Sequence, residues 1–229
     1  MKSNLLILHG ALGSSAQFEP LAEILEKEFR VILFNFTGHA GKPIPEEPFS
    51  IKMFAEEIKS LIEKTRISPC NIFGYSMGGY AALYAAKHYP GIIGKIFTLG
   101  TKFDWNEESS AHEVKFLNPA KIEEKVPAFA KLLESRHSPE DWKQVMSKTA
   151  EMMINLGKQN ELTYEDMSSI ENEVTVAVGD RDNMVSINET ERAFKSLVKG
   201  RMLVKPGTQH PIEKVDLERL KFELLRFFR

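Results

Sequence analysis

Ser76 is the residue best placed in this sequence for nucleophilic chemistry, because it stands at the centre of the pentapeptide GYSMG. The pattern G-x-S-x-G arises by chance in roughly one chain of this length in ten, so its context must carry the argument. The apolar run CNIFGY precedes the serine and the small-residue run MGGYAALYAAKH follows it, which predicts a sharp strand-to-helix turn. Side chains at Gly74 and Gly78 would collide with neighbouring backbone there. We therefore expect an exposed Ser76 hydroxyl at the carboxyl edge of a sheet; the alternative is a serine that merely caps a helix.

His210 is the histidine best placed to activate that serine. A serine hydroxyl is a poor nucleophile unless a base takes its proton. His210 lies in PGTQHPIE, after the last predicted strand and before the last predicted helix, and Pro211 favours an extended backbone that would present the ring. The alternative is a surface histidine that caps the helix. The other five histidines do not share this position: His9, His39, His88, His112 and His137.

Two aspartates, Asp180 and Asp182, follow the apolar run VAVG in the stretch VAVGDRDNMVS. A carboxylate beside a catalytic histidine would accept its ring N–H and stabilise the imidazolium. The same residues also suit a polar turn after a strand. The local sequence does not choose between these interpretations, nor between the two aspartates.

Six short apolar runs predict the strands that would position these residues. They cover residues 5–8, 31–34, 70–76, 95–100, 173–179 and 201–206. Helical patterns with capping signals alternate with them, and the strands are continuously apolar instead of alternating. Both features are typical of a mostly parallel sheet covered by helices on both faces. The predicted fold class is therefore α/β, with a doubly wound sheet.

Residues 101–172 interrupt the alternation, because they contain helix-capping signals but no strand signal. We interpret them as a helical insertion, with residues 1–100 and 173–229 forming the core. Ser138 and Asp141 open one predicted helix, and Pro127 should break an earlier one. The insertion also carries apolar side chains that are expected mostly to pack helix on helix, with a few facing a pocket: Phe116, Phe129, Trp142, Met146, Met152 and Met153.

The composition excludes several classes of protein. With 42% hydrophobic and 27% charged residues, the chain is typical of a globular protein, and a net charge of −2 gives no drive to bind nucleic acid. The single cysteine, Cys70, is expected in the core. The N-terminal apolar run is too short for a signal peptide or a membrane span. We expect a cytoplasmic protein without membrane insertion and, since no ligand cluster or phosphate loop is present, without metal or cofactor.

Four motifs in order, LLILHGALGS, GYSMGG, VGDRDNMV and GTQH, resemble those of the α/β-hydrolase fold enzymes across nearly the whole chain. The resemblance implies that Ser76 is the nucleophile and His210 the base. It places the oxyanion donors at the backbone N–H groups of Met77 and Ala11. The insertion would be the family's cap over the pocket.

The same resemblance ranks the carboxylates. GDRDNMV fits the family pattern G-x-x-D-x-x-V, which implies that Asp182 is the acid and Asp180 a turn residue. Asp104, after the fourth strand, is a third candidate, because some members place the acid there. One departure is NFTGHAG after the second strand, where many members have D-x-P-G-H-G, and this weakens any analogy of substrate.

The leading function is that of a serine hydrolase, which cleaves a small-molecule ester or thioester through an acyl-enzyme. The HG and GYSMGG motifs are also similar to those of the menaquinone-pathway synthase, a lyase whose substrate carries several carboxylates. That enzyme's pattern favours arginine where this chain has Tyr80, and the insertion offers only Arg136. A third possibility is a non-catalytic relative that binds a small molecule in the same pocket.

Overall fold

A six-stranded sheet forms the centre of the protein, whose computed structural model describes residues 2–229. Its strands are β1 (Asn4–Leu8), β2 (Arg30–Phe34), β3 (Cys70–Tyr75), β4 (Ile93–Leu99), β5 (Val174–Gly179) and β6 (Gly200–Lys205). The spatial order is β2-β1-β3-β4-β5-β6 and every pairing is parallel. The predicted α/β class and parallel sheet are confirmed.

In the described part of the chain, ten α-helices connect and cover the strands: α1 (Glu19–Leu25), α2 (Ile51–Thr65), α3 (Met77–His88), α4 (Glu107–Val114), α5 (Pro119–Lys125), α6 (Pro127–His137), α7 (Trp142–Lys158), α8 (Tyr164–Met167), α9 (Ile187–Ser196) and α10 (Leu217–Phe228). Short 3₁₀ turns occupy Ser15–Phe18 and Ile212–Lys214. Several α-helices start where the sequence predicts a cap. At the starts of α2 and α9, the Ser50 and Ser186 side chains accept hydrogen bonds from the backbone N–H groups of Met53 and Glu189. None of the helices within residues 2–229 combines the length and apolarity needed to cross a bilayer.

The two faces of the sheet bury separate hydrophobic clusters. Leu6 and Leu8 of β1 point to the face covered by α2 and α3, whereas Leu5 and Ile7 point to the face covered by α1 and α10. Both sets are fully buried, because a strand with helices on both sides has no solvent face. Cys70 is buried in the first cluster, as expected.

Helices α4–α8 follow one another between β4 and β5, in the segment interpreted as an insertion. Pro127 separates two helices as expected, but it does so as the first residue of α6, where its missing N–H costs no hydrogen bond. Asn106, Asn118 and Asp141 cap α4, α5 and α7 with their side chains. The α7 helix runs one residue past Gly157, where the sequence predicted its end.

The turn from β3 to α3 depends on glycines that let three backbones meet. A Cβ at Gly74 would lie 2.5 Å from the Cα of Gly79, and one at Gly78 would lie 2.7 Å from the carbonyl oxygens of Leu8 and His9. Helix α3 therefore packs directly against the end of β1. Strand order reverses between β1 and β3, and in open parallel sheets ligands bind at the carboxyl ends of strands at such a point.

This packing makes Gly78→Ala a stringent probe. The added methyl group would meet two backbone carbonyls that cannot move independently of β1. We expect the free energy of unfolding to fall by about 1–3 kcal/mol, the usual cost of overpacking. Chemical denaturation of wild type and variant measures the difference, and an unchanged unfolding midpoint would contradict the close approach of α3 to β1.

Candidate active site

Ser76 sits on a strained turn between β3 and α3. Its backbone angles are φ 50° and ψ −118°, a combination that non-glycine residues rarely adopt and that neighbouring contacts must enforce. Its N–H donates to the carbonyl of Leu99 at 2.9 Å, and its carbonyl accepts from the Thr101 hydroxyl at 3.0 Å. The end of β4 thus holds the serine backbone from both sides.

Asp182 and His210 form a buried pair at the same edge of the sheet. His210 Nδ1 lies 2.7 Å from Asp182 Oδ2, and only 2% of the Asp182 side chain is exposed. The second carboxylate oxygen accepts the N–H groups of Met184 and Val185, each at 2.9 Å. Burial alone would raise the pKa of Asp182, but the bonds from His210 and the two N–H groups lower it below its usual value. The carboxylate is therefore kept ionised.

Two further residues fix the histidine. The Tyr75 hydroxyl donates to the His210 carbonyl at 2.9 Å, so the residue before the serine holds the loop that carries the histidine. Gly100 has φ +63°, and a Cβ there would lie 3.3 Å from both Asp182 Oδ2 and His210 Nδ1. The pair can close over the end of β4 because this position has no side chain. Neither role was predicted from the sequence.

The other two aspartates lie in different surroundings. Asp180 is exposed, and its N–H donates to the Lys205 carbonyl. Asp104 forms an ion pair with Arg192 and accepts the Tyr164 hydroxyl at 2.5 Å. Within residues 2–229, neither carboxylate contacts His210.

The backbone N–H groups of Ala11 and Met77 belong to the residues that, with Ser76, line one pocket. Neither N–H donates to another protein atom in the described chain. Met77 is the first residue of α3, so its N–H is one of the free donors at a helix N-terminus. Both groups are thus available to an oxygen atom bound near the serine.

Two compartments meet at Ser76. The first, here called the inner pocket, is a cavity of about 40 Å³. The residues that line it but not the second compartment include Ile51, Tyr80, Trp105, Met152, Leu156 and Val185. The second, the outer cleft, is a cavity of about 280 Å³ whose distinguishing walls include Phe116, Ile122, Phe129, Arg136, Met146 and Glu213. Of the six insertion residues singled out in the sequence, Trp142 lines neither compartment, and Met153 lines both.

Besides His210, each compartment contains one lysine or arginine side chain, and both of these are paired. Lys102, at the inner pocket, lies 3.3 Å from Glu113 and donates to the Met184 carbonyl at 3.0 Å. Arg136, in the outer cleft, donates to the Leu12 carbonyl at 2.9 Å and lies 3.5 Å from Glu213. Neither compartment therefore presents a group of unpaired cations.

Three of the remaining histidines pack in a row, here called the histidine stack, behind the loop after β1, with their rings inclined by 46° (His9–His39) and 68° (His39–His137). His9, His39 and His137 are fully buried, with ring centroids 5.1 Å (His9–His39) and 5.7 Å (His39–His137) apart. His9 donates to the Gly10 carbonyl and His137 to the Leu12 carbonyl, on either side of Ala11. Burial lowers the pKa of His9 and of His137 to about 4 and that of His39 well below its usual value. The stack is neutral and ties the β1 loop to the end of α6.

No three His, Cys, Asp or Glu side chains within residues 2–229 meet in an arrangement that could hold a metal ion. The histidine stack does not form such a group, because five of its six ring nitrogens bond backbone atoms and, in the described chain, His39 Nε2 alone has no hydrogen-bond partner. Four of them bond backbone groups of the loops after β1 and β2, and a fifth, His39 Nδ1, bonds Thr37.

Residues 4–122 match the model of a known family, described as the alpha/beta hydrolase fold, over more than half of the chain. The chain belongs to the α/β-hydrolase family. Its similarity to RutD of Rhizobium rhizogenes, a protein provisionally named a carbamate hydrolase, is 24% identity over 98% of this chain and 92% of that protein. A human serine hydrolase-like protein is 26% identical over 42% of this chain and 48% of its own length.

Solved structures show the same fold as this hydrolase over its whole length. The alpha/beta hydrolase MGS-M2, from a Medee basin deep-sea metagenome library, superposes with a TM-score of 0.82 at 17% identity, over 99% of this chain and 89% of that one. The enol-lactonase of Burkholderia xenovorans superposes with a TM-score of 0.77 at 15% identity, over 99% and 91%. At these identities the likeness shows the fold alone.

The neutral histidine stack predicts an acid-sensitive hydrolase. The unfolded chain binds protons at these histidines below about pH 6.5, whereas the folded chain holds His9 and His137 neutral down to about pH 4. Stability is therefore full above pH 6.5 and is lost as the pH falls. At pH 5.5, protonation of each of these two histidines in the unfolded chain lowers the free energy of unfolding by on the order of 1 kcal/mol. We therefore expect a melting temperature about 4–8 °C lower at pH 5.5 than at pH 7.5.

Calorimetry of variants tests the assignment of this pH dependence. His137→Gln can still donate to the Leu12 carbonyl but cannot be protonated, so it should flatten the pH dependence. His112→Gln is the control, because the His112 side chain is 60% exposed, and it should leave the dependence unchanged. Equal slopes for wild type and His137→Gln would show that the stack is not responsible.

Proposed function

We propose that this α/β-hydrolase is a serine hydrolase that cleaves a small-molecule ester or thioester through an acyl-enzyme. Ser76 is the nucleophile, His210 the general base and Asp182 the acid that orients it. The observation that carries the proposal is the buried Asp182–His210 pair, whose histidine lines both compartments together with Ser76. Binding a small molecule without catalysis does not require an ionised carboxylate behind a histidine, with a strained serine beside them.

The proposed reaction follows from the proton positions. Asp182 accepts the Nδ1–H of His210, which leaves Nε2 free to take the Ser76 proton as the serine oxygen attacks the carbonyl carbon. The negative charge that develops on the carbonyl oxygen is stabilised by the N–H groups of Ala11 and Met77. His210 then returns the proton to the departing alcohol or thiol. Water attacks the acyl-enzyme by the same steps and releases the carboxylic acid.

We further propose that residues 101–172 act as a cap on a core formed by residues 1–100 and 173–229. Support comes from the walls of both compartments, because Trp105, Met152 and Leu156 of the inner pocket and Phe116 and Phe129 of the outer cleft all belong to this segment. The cap would exclude water from the reacting groups and shape the space around them.

A small carbamate is a second candidate substrate. Its support is the similarity to RutD along almost the full length of both chains. A lyase acting on a substrate with several carboxylates has less support, because Lys102 and Arg136 are already paired with Glu113 and Glu213. Tyr80, where the lyase pattern favours arginine, donates its hydroxyl to Asn160 and is 2% exposed.

Ser76→Ala tests the nucleophile. We expect it to lower kcat for p-nitrophenyl acetate at least 10⁴-fold and to abolish covalent labelling by a fluorophosphonate, because no oxygen remains to attack. Ser147→Ala is the control, since Ser147 is exposed on α7. Labelling of the Ser76→Ala protein at the wild-type rate would refute the assignment.

Three aspartate-to-asparagine variants test the acid. An amide at position 182 would favour the wrong tautomer of His210, so Asp182→Asn should lower kcat about 10³–10⁴-fold with little change in KM. Asp180→Asn and Asp104→Asn are matched controls on the same edge of the sheet and should retain kcat within about twofold. Steady-state kinetics of the three variants decides the matter. Near-wild-type activity of Asp182→Asn would remove it from the mechanism.

A further inference from the structure

The inner pocket and the outer cleft share the residues that would carry out the reaction. Ala11, Ser76 and His210 line both compartments. A carbonyl group placed for attack at Ser76 therefore has one substituent in each compartment. The difference between the two spaces then determines which acyl and leaving groups fit.

The inner pocket is small and its walls are buried. At about 40 Å³ it is well below the roughly 150 Å³ of an apolar cavity that holds one benzene molecule, so only a short group fits. Ile51, Tyr80, Met152 and Leu156 are each 3% exposed or less. The Lys102 charge at its edge is paired with Glu113, so the pocket favours a short, uncharged, apolar group.

The outer cleft is about seven times larger by volume and reaches the surface. Phe116 and Phe129 in its wall are 65% and 38% exposed, and the Glu213 side chain is 54% exposed. Most of the wall is apolar, with Arg136 and Glu213 as a polar pair at one side. A larger group can extend through it into solvent.

The position of His210 decides which group occupies which space. The leaving group must depart next to the histidine that protonates it. Beyond His210, the outer cleft continues along Pro211 and Glu213, whereas the inner pocket continues along Met77 and Tyr80 at the start of α3. The leaving group therefore lies in the outer cleft and the acyl group in the inner pocket.

We propose that the substrates are esters or thioesters of a short acyl group, of about two to four carbons, with a larger and mainly apolar leaving group. This inference rests on the proposed serine hydrolase function. It adds a direction to the site: short acids are made in the inner pocket, and a larger alcohol or thiol departs through the outer cleft.

A series of p-nitrophenyl esters tests the acyl pocket. With acetate, butyrate, hexanoate and octanoate, kcat/KM should fall at least tenfold from butyrate to octanoate. Leu156→Ala and Met152→Ala each deepen the inner pocket and should move the preferred chain to hexanoate or longer; two variants guard against loss of folding in one. Equal or faster turnover of octanoate by wild type would overturn the proposal.

Phe129→Ala is the matched variant in the outer cleft. It should leave the acyl preference unchanged but lower kcat/KM about threefold or more for acetate esters of large apolar alcohols relative to ethyl acetate. If Phe129→Ala extends the acceptable acyl chain and Leu156→Ala does not, the two groups occupy the opposite compartments and the proposal is wrong.

Binding to the Ser76→Ala variant separates this inference from the proposed function. Trp105 lines the inner pocket, so its fluorescence reports occupancy without any reaction. Phenyl butyrate should bind at least tenfold more tightly than phenyl octanoate, although hydrophobicity alone favours octanoate. That preference would support the short-acyl pocket even if no ester were hydrolysed. Equal or tighter binding of octanoate would overturn it even if Ser76 proved to be the nucleophile.

Discussion

The constraint on which the rest of the structure depends is the contact of α3 with three strands at its first turn. Gly78 abuts β1, Gly79 lies against Gly74 and the Thr101 side chain, and none of these contacts leaves room for a Cβ atom. The chain can enter α3 this closely only by reversing direction at one residue. That residue, Ser76, takes a positive φ and is held by hydrogen bonds to the end of β4. The strain that exposes the serine is thus maintained by the packing of the sheet.

The remaining groups assemble around that turn because parallel strands end at a common edge. The loop after β5 brings Asp182, the loop after β6 brings His210, and Gly100 at the end of β4 leaves space for the two to meet. The loop after β1 is fixed from the other side, since Arg136 and His137 of α6 both donate to the Leu12 carbonyl. The end of one insertion helix thereby holds the backbone next to Ala11. Residues 101–172 thus contact the rest of the chain at the loop that carries Ala11, a proposed oxyanion donor.

The sequence predicted what depends on local pattern. Apolar runs located all six strands to within two residues at their starts, and capping side chains such as Ser50 and Ser186 marked helix starts. Spacing and resemblance selected Ser76, His210 and Asp182 as candidates that the fold does bring to one edge. The sequence did not predict the histidine stack or the Arg136–Glu213 pair, because each joins side chains from segments far apart in the chain. Their partners are determined by how the insertion packs on the core, which no local pattern encodes.

The size of the inner pocket could not be predicted from the sequence, although the candidate reacting residues beside it could. Its depth is limited by Met152 and Leu156 on α7, and the position of α7 is limited by its contact with α4. At Gly157 a Cβ atom would lie 2.1 Å from the Ser110 hydroxyl oxygen, so the two helices touch backbone to side chain. A larger residue at either position would shift α7 and with it the end of the pocket. In the proposed mechanism the nucleophile, base and acid all come from residues 1–100 and 173–229, whereas helix packing within residues 101–172 would limit the length of the acyl group. On this proposal, substitutions in α7 would change selectivity without changing the reacting groups.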